Sequence, residues 1–187
     1  MELPRVECFI MAEDIRLERQ GQFTIVGAFS DRIFTKLWPL QLAKLCFQVR
    51  VRGLVGTTKH RLELVKQDNG QPLASLGGET KQGDEQVSIF NYFLAPSPEL
   101  TGPGAYVAKF VLEEDEERVL EAQYRFQLEN PNPDELYVKC GRCGARYGTG
   151  IVVKGDGVIG ECGCVCARCG HTNLLDSATA FRLPNPA

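Results

Sequence analysis

The chain reads as all-β: an antiparallel two-sheet sandwich of about eight strands, followed by a small module built around cysteines. Three observations predict this. Upstream of residue 130 the apolar residues recur with a period of two rather than 3.6, and no amphipathic helix of useful length appears. Turn-forming clusters interrupt these runs at short intervals. Near the C-terminus one pattern occurs twice, as Cys140-Gly-Arg-Cys143-Gly and Cys166-Ala-Arg-Cys169-Gly, with 22 residues between the copies.

The strands follow in order. A first, over 6–18, turns at Arg19-Gln-Gly21 into a second over 22–29, where Phe23, Ile25, Gly27 and Phe29 alternate with Thr24, Val26 and Ala28. The crossover 31–43 carries Trp38-Pro39, which is expected to plug an open end of the sandwich, with a short helical turn. Leu45, Phe47, Val49 and Val51 then line one face of a strand whose other face carries Lys44, Cys46, Gln48, Arg50 and Arg52. Asp68-Asn-Gly-Gln71 joins strand 60–66 to strand 72–76. The acidic tip Glu113-Glu-Asp-Glu-Glu117 joins 106–112 to 119–128, where Leu120, Ala122, Tyr124, Phe126 and Leu128 alternate with Glu121, Gln123, Arg125 and Gln127. Segments 77–85 and 96–104 read as the longer loops. Such strands have one buried and one wet face, as in an immunoglobulin-like sandwich.

The sandwich therefore spans 1–129. A stiff linker follows over 130–135, where two prolines disfavour helix and remove strand donors. The cysteine module covers 136–175, and 176–187 is a tail with no evident structural role. The runs Glu7-Cys-Phe-Ile-Met-Ala-Glu-Asp-Ile-Arg16 and Gly21-Gln-Phe-Thr-Ile-Val-Gly-Ala-Phe-Ser-Asp-Arg-Ile33 resemble the opening of an uncharacterised family of bacterial β-sandwich domains. The hairpin beginning Gly102-Pro-Gly-Ala-Tyr106 is similar to that family's closing hairpin. The resemblance covers about 2–129 and implies a fold, with no activity or site residues to carry over.

Each C-x-x-C turn brings two sulfurs to one side, and the following Gly144 or Gly170 permits positive φ where the chain doubles back. Cys140, Cys143, Cys166 and Cys169 thus form a candidate tetrahedral site for one structural zinc ion. Gly150-Ile-Val-Val153, Lys154-Gly-Asp-Gly157 and Val158-Ile-Gly-Glu161 read as strand, tight turn and strand, a hairpin expected to fold one knuckle beside the other. On these residues the module resembles a zinc ribbon. Cys162 and Cys164 precede Cys166 at alternating spacing, either as half-buried strand thiols or as alternative metal or redox groups. His171 is a further alternative ligand, or a hydrogen-bond partner of a ligating sulfur. Four cysteine ligands leave no open position for water, so the site is structural rather than catalytic.

Charge is divided unevenly along the 187 residues. The net charge of −3 contains −6 over 1–135 and +3 over 136–175, and a zinc ion with four thiolates would bring the module close to neutral. The N-terminus lacks the pattern of a signal peptide, and no stretch approaches a membrane span. With metal-type cysteine spacing, this leads us to expect a reducing cytoplasm.

Catalysis is not expected. There are two histidines, His60 on a strand and His171 beside the cysteines, and no phosphate-cradling loop. Glu13 with Asp14, Asp31 with Arg32, and the 113–117 run read as solvated charges. Cys8 reads as a small core residue; Cys46, on the polar face of its strand, reads as accessible. The expected function is that of a non-catalytic zinc-binding adaptor or accessory protein that contacts another protein, with no small-molecule substrate evident. The alternative is nucleic-acid binding, with Arg142, Arg146 and Arg168 on phosphates and Tyr147 stacking a base. Lys44, Arg50 and Arg52 would then add a second basic stripe.

Overall fold

A computed structural model of the chain describes residues 3–19, 22–82, 87–114, 117–131, 135–152, 162–175 and 180–181. Among them the secondary structure is almost entirely antiparallel strand, with no α-helix. The strands are β1 (Arg5–Leu17), β2 (Phe23–Ala28), β3 (Arg32–Phe34), β4 (Leu37–Trp38), β5 (Leu45–Arg52), β6 (Gly56–Lys66), β7 (Pro72–Gln82) and β8 (Val87–Leu94). They continue with β9 (Gly104–Glu114), β10 (Glu117–Glu129), β11 (Glu135–Lys139), β12 (Arg146–Val152), β13 (Cys162–Val165), β14 (Thr172–Leu175) and β15 (Ala180–Phe181).

Two sheets form the sandwich, one in the order β2-β1-β5-β8 and the other in the order β3-β10-β9-β6-β7. Leu45, Phe47, Val49 and Val51 are wholly buried on the inner face of β5, as their alternation predicts. Aromatic rings join the two inner faces. Phe110 of β9 packs against Phe9 of β1 and against Phe90 and Tyr92 of β8, with ring centroids 5.3–6.5 Å apart. Such offset and edge-on contacts add to the area these rings bury. Between the sheets, Nδ1 of His60 on β6 lies 2.7 Å from the Tyr92 hydroxyl. His60 is thus a partly buried cross-sheet strut, and burial holds its pKa below the usual imidazole range.

Several strands depart from the sequence reading. β7 continues through Gly77 and Gly78 to Gln82, where a loop was expected from residue 77. The glycines are themselves the reason: a Cβ on Gly77 would lie 2.8 Å from the His60 carbonyl oxygen of the neighbouring strand. β8 was not separately identified. Cys46, expected to be accessible, is wholly buried with Ala12 and Ile15 beneath Phe23 and Ile25. The β1–β2 hairpin carries its own small apolar cluster over that side of β5, and burial pushes the Cys46 thiol up in pKa. Cys8 is half-buried opposite Arg50, on the face away from Phe9 and Met11, so it is not a core residue.

Contacts divide the chain into two compact units that interleave in sequence. One comprises 1–32, 41–98 and 105–127; the other comprises 33–40, 99–104 and 128–187. The second unit contains a sheet in the order β15-β11-β12-β4 and the separate β13-β14 hairpin. Trp38 belongs to a short strand in which Leu37 and Trp38 pair with Tyr147 and Arg146 of β12. Its indole is almost wholly buried.

Candidate metal centre

Each knuckle caps its own hairpin. Cys140–Ala145 links β11 to β12, and Cys166–His171 links β13 to β14. The two turns repeat one another bond for bond. The Gly144 N–H donates to the Cys140 carbonyl at 2.9 Å, and the Gly170 N–H to the Cys166 carbonyl at 2.8 Å. The Cys140 N–H donates to the Ala145 carbonyl at 2.8 Å, and the Cys166 N–H to the His171 carbonyl at 2.9 Å. Gly144 and Gly170 have φ of 73° and 71°, in the left-handed region that the doubling-back requires. The segment 153–161, expected to form the connecting hairpin, lies outside the described residues. Among those described, β12 pairs with β11 and β4 rather than with β13.

The two turns bring four sulfurs together. The Sγ atoms of Cys140, Cys143, Cys166 and Cys169 all lie within 4.8 Å of one another. Cys140 Sγ is 3.6 Å from Cys169 Sγ, and Cys143 Sγ is 3.7 Å from Cys166 Sγ. A tetrahedron with metal–sulfur bonds of about 2.3 Å has edges of about 3.8 Å, so both cross-knuckle separations match a shared ion. They are far too long for disulfides, whose S–S bonds are about 2.05 Å, and all four cysteines are unlinked. The donor set is compatible with a metal ion that favours tetrahedral thiolate coordination.

Backbone amides point at the sulfurs. Burial would raise the Cys140 thiol, but the N–H groups of Cys143 and Arg142 and the Asn173 side chain outweigh it and bring its pKa down to about 6. The His171 N–H lowers Cys169, yet burial and the neighbouring sulfurs dominate and push it up to about 11. A bound cation would hold all four as thiolates.

A buried polar chain behind the sulfurs ties the two hairpins together. Asn173 of β14 accepts the Gly141 N–H at 2.8 Å through Oδ1. Its Nδ2 donates to the Tyr147 hydroxyl at 3.0 Å and to the His171 carbonyl at 3.2 Å. The Tyr147 hydroxyl in turn donates to the Cys164 carbonyl at 2.9 Å. Sequence reasoning missed Asn173. Its only signal was a polar residue on a strand four positions past the second knuckle, a spacing with no specificity of its own.

Other candidate residues fall into distinct places. Cys164 packs in the apolar cluster with Val138, Ala145 and Tyr147, outside the four-sulfur group. The Cys162 side chain lies outside the described residues. His171 contributes its backbone to the site while its ring is exposed. Tyr147 is only 4% exposed, so its ring is a core element and cannot offer an outside base a stacking surface. Arg146 lies over the Phe181 ring at 5.7 Å, and Arg168 donates to the Pro39 carbonyl at 2.9 Å. Arg142 is exposed at the tip of the first knuckle. In the sandwich, the anticipated basic stripe is matched by carboxylates: Lys44 pairs with Asp14, and Arg50 and Arg52 both pair with Glu7.

A second buried charge was also missed. Glu135 is wholly buried and pairs with Lys36 Nζ at 2.8 Å. Gly148 makes room for it, since a Cβ there would lie 2.7 Å from Glu135 Oε1.

Comparison with known proteins adds a family. A model described as "Family of unknown function (DUF6941)" matches residues 7–127, close to the span of the resemblance noted from sequence. No curated protein matches the chain. Two solved structures of a glycosyl hydrolase family 2 member from Bacteroides cellulosilyticus are similar at 13% and 15% identity, with TM-scores of 0.41 and 0.40. Each alignment covers 50% of this chain, and 14% and 13% of theirs. A Bifidobacterium dentium β-glucuronidase complexed with coumarin-3-O-glucuronide is similar at 12% identity and a TM-score of 0.37, over 67% of this chain and 18% of its own. The chain thus matches less than a fifth of the length of each. Among the described residues no helix is long and apolar enough to cross a membrane.

Proposed function

We propose that this chain, which belongs to the family of unknown function DUF6941, is a non-catalytic adaptor or accessory protein whose C-terminal unit is folded by one structural zinc ion. The observation that carries the metal reading is the pair of superposable knuckles with cross-knuckle sulfur separations of 3.6 and 3.7 Å. Zinc is favoured over other thiolate-seeking ions because it takes this geometry without redox chemistry and commonly builds small folded modules. A bacterial cytoplasm is the compartment that suits reduced cysteines of this spacing.

Contact with another protein is favoured over nucleic acid by what the second knuckle hairpin presents. Val165 and Leu174 stand outward at 63% and 69% exposure, whereas the aromatic ring of the neighbouring strand is buried. Two of the three candidate arginines are already engaged within the unit. The nucleic-acid alternative rests on Arg142 at the first knuckle tip. Elemental analysis of the purified protein should give one zinc per chain, and any other metal or none would overturn the zinc reading. Fluorescence anisotropy against single- and double-stranded DNA and RNA across a salt series tests the partner class. Affinity that falls steeply with salt and disappears in Arg142→Ala/Arg168→Ala would replace the protein-contact reading with the nucleic-acid one.

A further inference from the structure

Among the described residues, three of the four sheet edges of the sandwich are protected. A bare strand edge offers a row of unpaired N–H and C=O groups to any other chain, and soluble proteins blunt such edges with charges, prolines, bulges or shortness. β7 carries Pro72, Glu79 and Lys81 along its length. β3 has three residues. β2 has six, and is broken near its end by Gly27 at φ 61°, beneath the Glu13 side chain. β8 has none of these devices. Its sequence, Val87-Ser-Ile-Phe-Asn-Tyr-Phe-Leu94, contains no charge, proline or glycine. It pairs with β5 on one side, in unbroken register from Arg52↔Val87 to Leu45↔Leu94, and among the described residues no strand pairs with its other side.

The outward face of this edge is apolar as well. Ile89 is 40% exposed and Phe93 is 45% exposed, with Asn91 midway between them. The Asn91 side chain accepts from Gln48 Nε2 at 2.9 Å. Of the neighbouring cations on this face, Lys44 pairs with Asp14 while its ammonium lies 4.8 Å from the centroid of the Phe93 ring, and Arg50 pairs with Glu7.

We infer that β8 is the docking edge for a second copy of this chain, which pairs with it antiparallel about a two-fold axis through Asn91. The strand is self-complementary in that register. Ile89 of one copy faces Phe93 of the other on the outer surface, and Phe90 faces Tyr92 on the inner one. Asn91 meets its own amide at the axis. Aliphatic–aromatic pairs directly across antiparallel strands are favourable, and a strand without charge meets no like charge when it faces itself. The two four-stranded sheets then join into one continuous sheet, and the last bare edge of the sandwich is covered. The inference is independent of the metal centre and of the proposed adaptor role.

Sedimentation equilibrium of the full chain, over concentrations up to about 100 µM, within the range of weak specific association, tests it. The expected result is a reversible dimer. Ile89→Lys alone and Phe93→Glu alone should each sediment as monomers. Both side chains stand outward, so the fold is kept, which circular dichroism checks. An equimolar mixture of the two variants should recover the dimer, because this register places the new lysine of one against the new glutamate of the other and leaves Ile89 against Phe93 on the second side. A wild-type chain that stays monomeric throughout overturns the proposal. So does a dimer that either single variant leaves intact, and so does a mixture that fails to re-form.

Discussion

Replacing Asn173 by alanine probes the metal centre without touching a ligand. The side chain makes three hydrogen bonds, to the Gly141 N–H, the Tyr147 hydroxyl and the His171 carbonyl. Each is worth about 1 kcal/mol net when made within a protein, so their loss costs about 3 kcal/mol. The groups involved lie on both knuckle hairpins: Gly141 follows the first ligand, and His171 follows the last. On the proposed reading that an ion folds this unit, the metal-bound state is the one that depends on these bonds. The whole cost therefore falls on metal affinity. At about 1.4 kcal/mol per factor of ten, it corresponds to a loss of about 100-fold, at the upper end of what removing an outer-shell partner does elsewhere. Competition for zinc against a chromophoric chelator at fixed pH measures it. Thr172→Ala, on the same strand but exposed, serves as the control and should leave affinity unchanged. An Asn173→Ala affinity within about threefold of wild type would refute the argument that this amide couples the two hairpins.

Gly144→Ala and Gly170→Ala should each lower zinc affinity by an amount equivalent to about 1–2 kcal/mol, the cost of a left-handed backbone in an L-residue. Nothing lies within 4 Å of the added Cβ in either case, so equal penalties in the same chelator assay check that conformation alone is responsible. Asp14 is held down to about 2 by its hydrogen bonds to Lys44 and then Arg16, against an ordinary value of 3.8. A carboxyl with a depressed folded pKa contributes stability that is complete above pH 4 and lost as pH falls toward 2. Asp14→Asn should therefore flatten the acid dependence of the sandwich melt in that window, and an unchanged slope would count against the pairing. Cys46 should resist iodoacetamide in the native protein while Cys8 reacts, as read by peptide mass spectrometry. Rapid labelling of Cys46 would contradict its burial under Phe23 and Ile25.

Much of this architecture was legible because it rests on local chemistry. The four-cysteine cluster follows from a repeated turn with the spacing and glycine that bring two thiols to one side, and the alternation of β5 and β10 marks a buried face against a wet one. β8 escaped for a physical reason. Its inward residues Phe90, Tyr92 and Leu94 alternate with Ile89 and Phe93, which are apolar too, so no period of two stands out. Cys46 was misplaced by a similar route: its strand alternates cleanly, but a second apolar cluster covers what the pattern marks as the wet face. Tyr147 sits beside exposed arginines in sequence and inside the core in space. Asn173 and the Lys36–Glu135 pair join residues 32 and 99 positions apart, and no local pattern encodes such distances.

The contacts divide the chain differently from a cut at the proline-rich linker, and this bears on what the cysteine-bearing unit needs in order to fold. β12 has two neighbours, β11 on one side and β4 on the other, and β4 comes from residues 37–38, more than a hundred positions upstream. Lys36, next to it, supplies the ammonium that pairs with buried Glu135, and the Lys36 carbonyl accepts the Gly148 N–H at 2.7 Å. A fragment comprising 136–187 would lose that strand, that backbone bond and both members of the ion pair together. One beginning at 130 would keep Glu135 but lose the Lys36 ammonium, leaving a wholly buried carboxylate without its half-exposed counter-ion. The 130–187 fragment should accordingly bind zinc far more weakly than the full chain. Adding a peptide of residues 31–41 should recover part of the difference in the chelator assay. A fragment that binds zinc as tightly as the whole protein would show instead that the knuckles and their polar chain suffice, with β4 an accessory to a module that folds without it.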